Sequence, residues 1–189
     1  MANQDSAFGL RAIGKVGQNA DNQGLSEYSI AASATAIYQG DPVQAINTGT
    51  IGVAAAGDVL LGALNGIFYT DAATQKPTWA NHLAASNTAT DIVGFVSDDP
   101  YERFEIQSNN TGASLQTDVF MNYDIEYTAG SSPNFVSKVE LNDSSTTTSS
   151  AQLRIIGVSK DPSNNALASA NTNFVVEIVE HFYKQAAGV

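Results

Sequence analysis

The chain contains no cysteine among its 189 residues. Without thiols it cannot form disulfide bonds, thiolate zinc sites or iron–sulfur ligation, and a cysteine nucleophile is excluded as well. A chain of this length can bury about 70% of its unfolded surface, either in one domain or in two small β subdomains. Its stability must therefore come from packing, to which oligomerisation can add.

Basic residues are scarce. Eight Lys and Arg stand against 19 Asp and Glu, which gives a formal net charge of −11. Because contacts to phosphate groups need Lys and Arg, we expect no binding to nucleic acid or to anionic membranes. Charged residues make up only 14% of the chain, against about 25% in a typical soluble domain. Such a neutral, polar surface is typical of proteins displayed outside cells and on virus particles.

Long apolar runs are also missing. No segment holds about 18 consecutive apolar residues, and Met1 to Leu10 lack the basic and then apolar pattern of a signal peptide. We therefore expect neither a membrane span nor a signal peptide.

Short apolar runs separated by turn residues fill most of the sequence. The turns contain Gly, Asn, Asp and Pro, as in 40–42, 47–49, 56–58, 65–66, 99–100, 110–112, 132–134 and 161–164. This spacing predicts an all-β barrel or sandwich of short strands, and no window of 11 or more residues has helical apolar spacing. At most one or two helical turns are expected, at 79–85.

The clearest predicted strand is 118–128, in which apolar and mostly polar residues alternate. Further strands are predicted at 43–46, 59–64, 67–70, 92–96, 104–107, 153–158 and 174–183. The last is apolar on both faces, which predicts a central position in its sheet.

Three regions are predicted along the chain. Residues 1–24 are rich in Asn, Gln, Asp and Gly and are expected to form an extended N-terminal arm that is weakly structured alone. Residues 25–100 form a β subdomain, and residues 101–189 form a second β subdomain packed on the first. The boundary is placed at Pro100, where Asp98-Asp99-Pro100 ends a strand.

Residue patterns of catalytic sites are largely missing. Two histidines occur, and we expect His181 to be a packed, hydrogen-bonded residue and His82 to lie in a surface loop. Neither has a second histidine at metal-ligand spacing, and the neighbouring Asp98 and Asp99 would point to opposite faces of a strand. The stretch 130–134 ends in Asn where a nucleophile elbow needs Gly, and Pro133 is incompatible with such an elbow at Ser132. We expect no enzyme activity, no cofactor and no metal.

Four stretches together resemble the capsid decoration, or cement, proteins of tailed bacteriophages. They are residues 1–11 (MANQDSAFGLR), 30–43 (IAASATAIYQGDPV), 61–71 (LGALNGIFYTD) and 104–107 (FEIQ). The resemblance implies a β protein without catalytic residues that binds the outer surface of an assembled capsid, at two-fold or local three-fold positions, with the major capsid protein as its partner. Its place would be the outside of the virion.

The N-terminal arm is the predicted capsid-binding segment. An extended segment that becomes ordered on docking can cover a long seam between subunits. Phe8, Leu10 and Ile13 would bury apolar surface there, while Arg11 and Lys15 would meet carboxylates of the capsid. We also expect a homo-oligomer, with a trimer favoured, because symmetry partners cover apolar strands and sheet edges.

Two other functions fit the same composition. One is a different virion part, such as a head fibre, a tail or baseplate component or an adhesion domain. The other is a small carbohydrate-binding or hydrolytic domain in which Trp79, Tyr101 and Tyr123 form an aromatic platform for sugar rings.

Overall fold

The computed structural model describes residues 3–18, 24–109, 114–144, 150–186 and 188–189. These residues contain strands and three single-turn 3-10 helices, at Val16–Gln18, Gln116–Asp118 and Phe182–Lys184, and they contain no α-helix. The strands are β1 (Arg11–Lys15), β2 (Ser26–Ser29), β3 (Ile37–Tyr38), β4 (Pro42–Ile46), β5 (Thr50–Val53), β6 (Gly62–Thr70), β7 (Pro77–Ala80), β8 (His82–Leu83), β9 (Val93–Ser97), β10 (Glu102–Gln107), β11 (Asn122–Tyr123), β12 (Ile125–Glu126), β13 (Glu140–Leu141), β14 (Leu153–Val158) and β15 (Asn173–Ile178). The all-β prediction is confirmed.

The first sheet contains five antiparallel strands in the order β1, β10, β15, β14, β11. Its middle strand is β15, as expected from its apolar sequence. Phe174, Val176 and Ile178 alternate along β15 and are buried, and Phe104 and Ile106 lie beside them in the same core. Ile125 and Leu141, from the separate pair β12–β13, join this core.

The second sheet contains β2, β9, β6, β4 and β5 in that order, and β7 pairs with the far part of β6. A short pair, β3–β8, packs beside it. Its core includes Ile37, Val43, Leu64, Ile67 and Val96, all nearly inaccessible to solvent. The outer strands β2 and β5 approach each other through a single bridge, so the described strands form a sandwich and not a closed barrel.

Buried apolar residues form two clusters. The second sheet's cluster draws its buried members from Ile30 to Val96. The other cluster is built mainly from residues beyond 100, but four of its members come from the first part of the chain, namely Leu10, Ala54, Leu60 and Ala63. The chain therefore crosses between the two cores more than once, and the predicted subdomain bounds at 25–100 and 101–189 stay a prediction.

Two predicted strands are in fact one. The dipeptide Asn65-Gly66 was expected to be a turn between 59–64 and 67–70, but β6 runs through it from Gly62 to Thr70. The pairing of β6 with β9 shifts register between Leu64 and Gly66. A β-bulge absorbs one extra residue in this way without ending the strand, so the turn prediction at this position is wrong.

The prediction of one continuous strand over 118–128 is wrong. This segment contains the end of a 3-10 helix, a turn and two short strands that pair with different partners, β11 with β14 and β12 with β13. Phe120 has a φ of 76°, a left-handed conformation that interrupts any strand. The alternation survives in part, because Tyr123 and Ile125 are buried whereas Phe120 is 73% exposed.

Two further predictions need correction. The segment 79–85, expected to contain helical turns, forms β7 and β8 instead. The predicted strand 174–183 ends at Ile178, and a 3-10 turn follows at Phe182–Lys184. Phe182 then packs against the core of the second sheet, so the chain end leaves the first sheet and contacts the second.

The N-terminal segment is extended, but it belongs to the body of the protein. The Asn3 side chain donates to the carbonyl groups of Ala166 and Ala170 at 3.0 and 2.9 Å, and β1 pairs with β10 in the first sheet. Leu10 is 2% exposed in the core. Leu10 is therefore a core residue and cannot contact a capsid, and the expectation of a segment left free to dock does not fit this packing.

The burial of Leu10 makes it a test of this packing. We expect Leu10→Ala to lower the free energy of unfolding by about 2–5 kcal/mol, because it leaves a cavity in the core. Ile13→Ala, on the same strand but at a side chain 49% exposed, should cost under about 1 kcal/mol. Urea unfolding measures both. Equal small effects would show that residues 3–15 are not part of the folded core.

Candidate docking surfaces

The five residues predicted to bind a capsid do not form one exposed surface. Phe8, Leu10, Arg11 and Lys15 line a cleft of about 500 Å³ between the N-terminal segment and β6. The guanidinium of Arg11 lies 4.0 Å from the centre of the Phe8 ring. Ile13 is half-exposed on the edge strand. Of the five, Phe8, Arg11 and Ile13 keep surface that a partner could reach.

Both basic residues of this segment already have acidic partners in the chain. Arg11 Nη1 lies 3.4 Å from Glu105 Oε2, and Lys15 Nζ lies 2.8 Å from Asp99 Oδ2. The Lys15 side chain is only 21% exposed. A capsid carboxylate would have to compete with Asp99, so Lys15 holds the edge strand to the turn that precedes β10.

The two histidines have different surroundings. His181 is fully buried, its Nδ1 accepts a hydrogen bond from the Tyr183 backbone at 3.1 Å, and burial lowers its pKa to about 4. His82 does not lie in a loop but on β8, where its ring stacks on Phe135 with centres 4.0 Å apart. Both are packing residues, and no group of three His, Asp or Glu suited to a metal ion occurs among the described residues.

Asp98 and Asp99 bind different parts of the chain. Asp98 accepts hydrogen bonds from the hydroxyl groups of Ser26 and Tyr28. Asp99 accepts from the Tyr101 backbone at 2.8 Å, and its contact with Lys15 lowers its pKa. The two carboxylates hold the connection between the second sheet and the first, in agreement with the structural role that the Asp-Asp-Pro sequence indicates.

The expected platform of Trp79, Tyr101 and Tyr123 does not exist. Tyr123 is 5% exposed and donates its hydroxyl to Asp118. Tyr101 is exposed but lies near Lys184, at the entrance to β10. Trp79, which is 69% exposed, lies on the second sheet with other aromatic neighbours.

Those neighbours form a surface that the sequence did not reveal. Phe68 stands directly opposite Trp79 on the adjacent strand, with ring centres 4.8 Å apart. Phe95, on the next strand, lies 5.2 Å from Trp79 at an interplanar angle of 25°. We call Phe68, Trp79, Val93 and Phe95 the aromatic face. Rings at these distances attract one another, so the exposed indole is held in a defined orientation.

Strand alternation explains why this face points outward. Gly94 and Val96 of β9 are buried, so Val93 and Phe95 between them face away from the core. Trp79 would have been recognised as part of a strand only if Pro77 had been read as a strand start, a position that proline tolerates. One exposed indole beside two half-buried rings gives the sheet an apolar surface of the kind found at interaction sites.

Acidic side chains concentrate on the pair β12–β13. Glu126 and Glu140 stand directly opposite each other in the antiparallel register, an arrangement that destabilises a strand pair when both are charged. Burial raises the pKa of Glu140 to about 7, and the charges of Asp5, Glu126 and Asp143 contribute to that rise. We call Asp5, Glu126, Glu140 and Asp143 the acidic patch. One cation, Lys138, lines the same groove as Asp5 and Glu140.

Comparison with known proteins gives no match, whether with family models, curated proteins or solved structures. Among the described residues, no helix is both long enough and apolar enough to cross a membrane.

The raised pKa of Glu140 predicts how stability depends on pH. Because the folded state favours the protonated form, this residue costs stability as pH rises from about 4.5 through 7. Glu140→Gln should raise the free energy of unfolding at pH 8 by about 1 kcal/mol, less than the full shift implies because solvent screens this partly exposed group. Urea unfolding at pH 8 and pH 4 measures the difference. A gain of equal size at both pH values would contradict the assignment.

Proposed function

We propose that the chain is a structural virion protein that binds the outer surface of an assembled phage capsid and stabilises it. The proposal starts from the resemblance of four sequence stretches to capsid decoration proteins. The observation that carries it is the aromatic face, which presents Trp79 at 69% exposure on a rigid sheet. The major capsid protein is the proposed partner.

The physical basis of such stabilisation is linkage. A protein that binds only the assembled shell favours that shell by RT ln(1 + [L]/Kd) at each site. Many sites of modest affinity add together, so no chemical reaction is needed. An aromatic surface with few charges suits this role, because apolar burial contributes to affinity at any salt concentration whereas exposed ion pairs are screened.

The aromatic face leads to a direct test on the heads of the parent phage. Purified chain should bind expanded, DNA-free heads that lack it, and should raise the temperature at which they disassemble. Trp79→Ala should weaken binding at least tenfold, because it removes an aromatic anchor that docking would bury. The change should leave the melting temperature of the free chain nearly unaltered, since the ring is exposed. Co-sedimentation with heads measures the affinity.

Phe120→Ala is the matched control, since it removes an equally exposed aromatic ring, 73% accessible, from the turn before β11. It should bind heads like the unaltered chain. If the unaltered chain fails to bind heads, the proposed function is wrong. If Trp79→Ala binds as tightly as Phe120→Ala, the docking surface lies elsewhere.

The same aromatic face favours a second candidate, a carbohydrate-binding protein, because sugar rings stack on exposed indoles. In that case the chain should be retained on a polysaccharide resin, and Trp79→Ala should pass through. A decoration protein should pass through the resin in both forms and bind only heads.

A further inference from the structure

A row of charged residues crosses the outer face of the first sheet. The residues that pair with one another across the five strands, from β1 to β11, are Gly14, Arg103, Glu177, Arg154 and Asn122. Arg103 Nε lies 3.1 Å from Glu177 Oε1. Arg154 Nε donates to Asn122 Oδ1 at 3.0 Å. Both arginines make these bonds through Nε.

Two more cations flank this row. Arg11 stands on the same face of β1, opposite Glu105. Lys184, the exposed last residue of the 3-10 turn, donates from Nζ to the Ile178 carbonyl at 2.9 Å and interacts electrostatically with Glu177 and Arg154. We call Arg11, Arg103, Arg154 and Lys184 the basic face. It holds half of the chain's eight basic residues.

Two carboxylates, Glu105 and Glu177, pair in register with the arginines of this face. Their side chains are 11% and 23% exposed. Asp99 also acts on Lys184, so four cations stand against three carboxylates. The result is a locally positive surface on a chain whose net charge is −11. Such a face attracts carboxylates, which arginine forks bind in two-pronged geometry.

The acidic patch offers the complementary surface. It lies on the pair β12–β13, whose buried residues Ile125 and Leu141 contribute to the same core as Phe104 of the first sheet. Alternation along the strands then directs Glu126 and Glu140 away from that core, as it does Arg103 and Arg154. The two charged surfaces belong to different sheets that share one core.

We propose that copies of this chain associate head to tail, with the basic face of one copy bound to the acidic patch of the next. The contact joins two different surfaces, so it closes into a ring or continues as a filament. A closed ring of three would be the trimer favoured from the sequence. The association goes beyond the proposed capsid binding and does not depend on it.

The like charges at Glu126 and Glu140 favour a second copy of the chain as the partner of the acidic patch. Their pairing costs stability in the isolated chain, and an arriving arginine would relieve the repulsion while gaining two carboxylate partners. A second copy of the chain supplies such an arginine on its basic face, and it is present at the same concentration as the acidic patch. A nucleic acid, by contrast, would meet the overall negative charge of the chain at long range.

Charge reversal tests the contact from both sides. Arg154→Glu should disable the basic face, and Glu140→Lys should disable the acidic patch. Each variant alone should weaken self-association at least tenfold in 50 mM salt, as measured by sedimentation velocity over a concentration series. An equimolar mixture of the two should form one-to-one complexes, because the basic face kept by Glu140→Lys can bind the acidic patch kept by Arg154→Glu. Association of the unaltered chain should weaken as salt is raised.

A variant that stabilises the fold separates this proposal from a folding defect. Glu140→Gln removes both the partly buried charge and the like-charge repulsion, so it should stabilise the fold in urea at pH 8 while it weakens association. Lys76→Glu and Glu27→Lys, at exposed positions outside both surfaces, are matched controls that should associate normally. A monomeric unaltered chain at millimolar concentration and low salt would overturn the proposal, as would a mixture of variants that stays monomeric or controls that weaken association equally.

Discussion

The crossing of residues 8–10 over Gly40 is the contact on which the rest of the structure depends. Gly9 and Gly40 both have positive φ values, 73° and 87°, and a Cβ on Gly9 would lie 2.3 Å from the Gly40 carbonyl oxygen. The Leu10 amide donates to that same oxygen at 2.8 Å. With the backbone fixed there, Leu10 enters the first core and Arg11 begins the edge strand. Because Gly40 also donates to Leu64 in β6, the crossing couples the N-terminal segment to the second sheet.

The sequence predicted the strands whose apolar runs are bounded by real turns. The segment 153–158 matches β14 residue for residue, and 43–46 lies within β4. Prediction failed where long-range contacts override local patterns. A bulge carries β6 through Asn65-Gly66, and Phe120 in a left-handed conformation breaks an alternating run. The N-terminal segment looked too polar to fold, yet its polar groups are what hold it, since Asn3 bonds to carbonyl groups more than 160 residues away.

The candidate surfaces were harder to predict than the strands. Trp79 drew attention as the only tryptophan, but its partners Phe68 and Phe95 come from two other strands, and only the sheet register brings the three rings together. The charged faces have the same origin. Arg103, Arg154 and Glu177 are scattered over 75 residues, and no local pattern announces that they share a row. Leu10 was misassigned for the opposite reason, because a sparse apolar residue in a polar segment resembles a docking residue until its burial is known.

Because the surface carries few charges, each charged cluster has a larger effect on the local electrostatic potential. On a surface crowded with ions of both signs, four cations would be neutralised by chance neighbours, whereas here Arg103 and Arg154 stand in register on either side of one carboxylate, Glu177. The net charge of −11 repels copies at a distance, but that repulsion decays over about 8 Å at physiological ionic strength. In the proposed contacts, the complementary charges would act only at close approach and select orientation, while burial of Trp79 would supply salt-independent affinity. The two kinds of surface lie on different sheets, so one chain can use both at once.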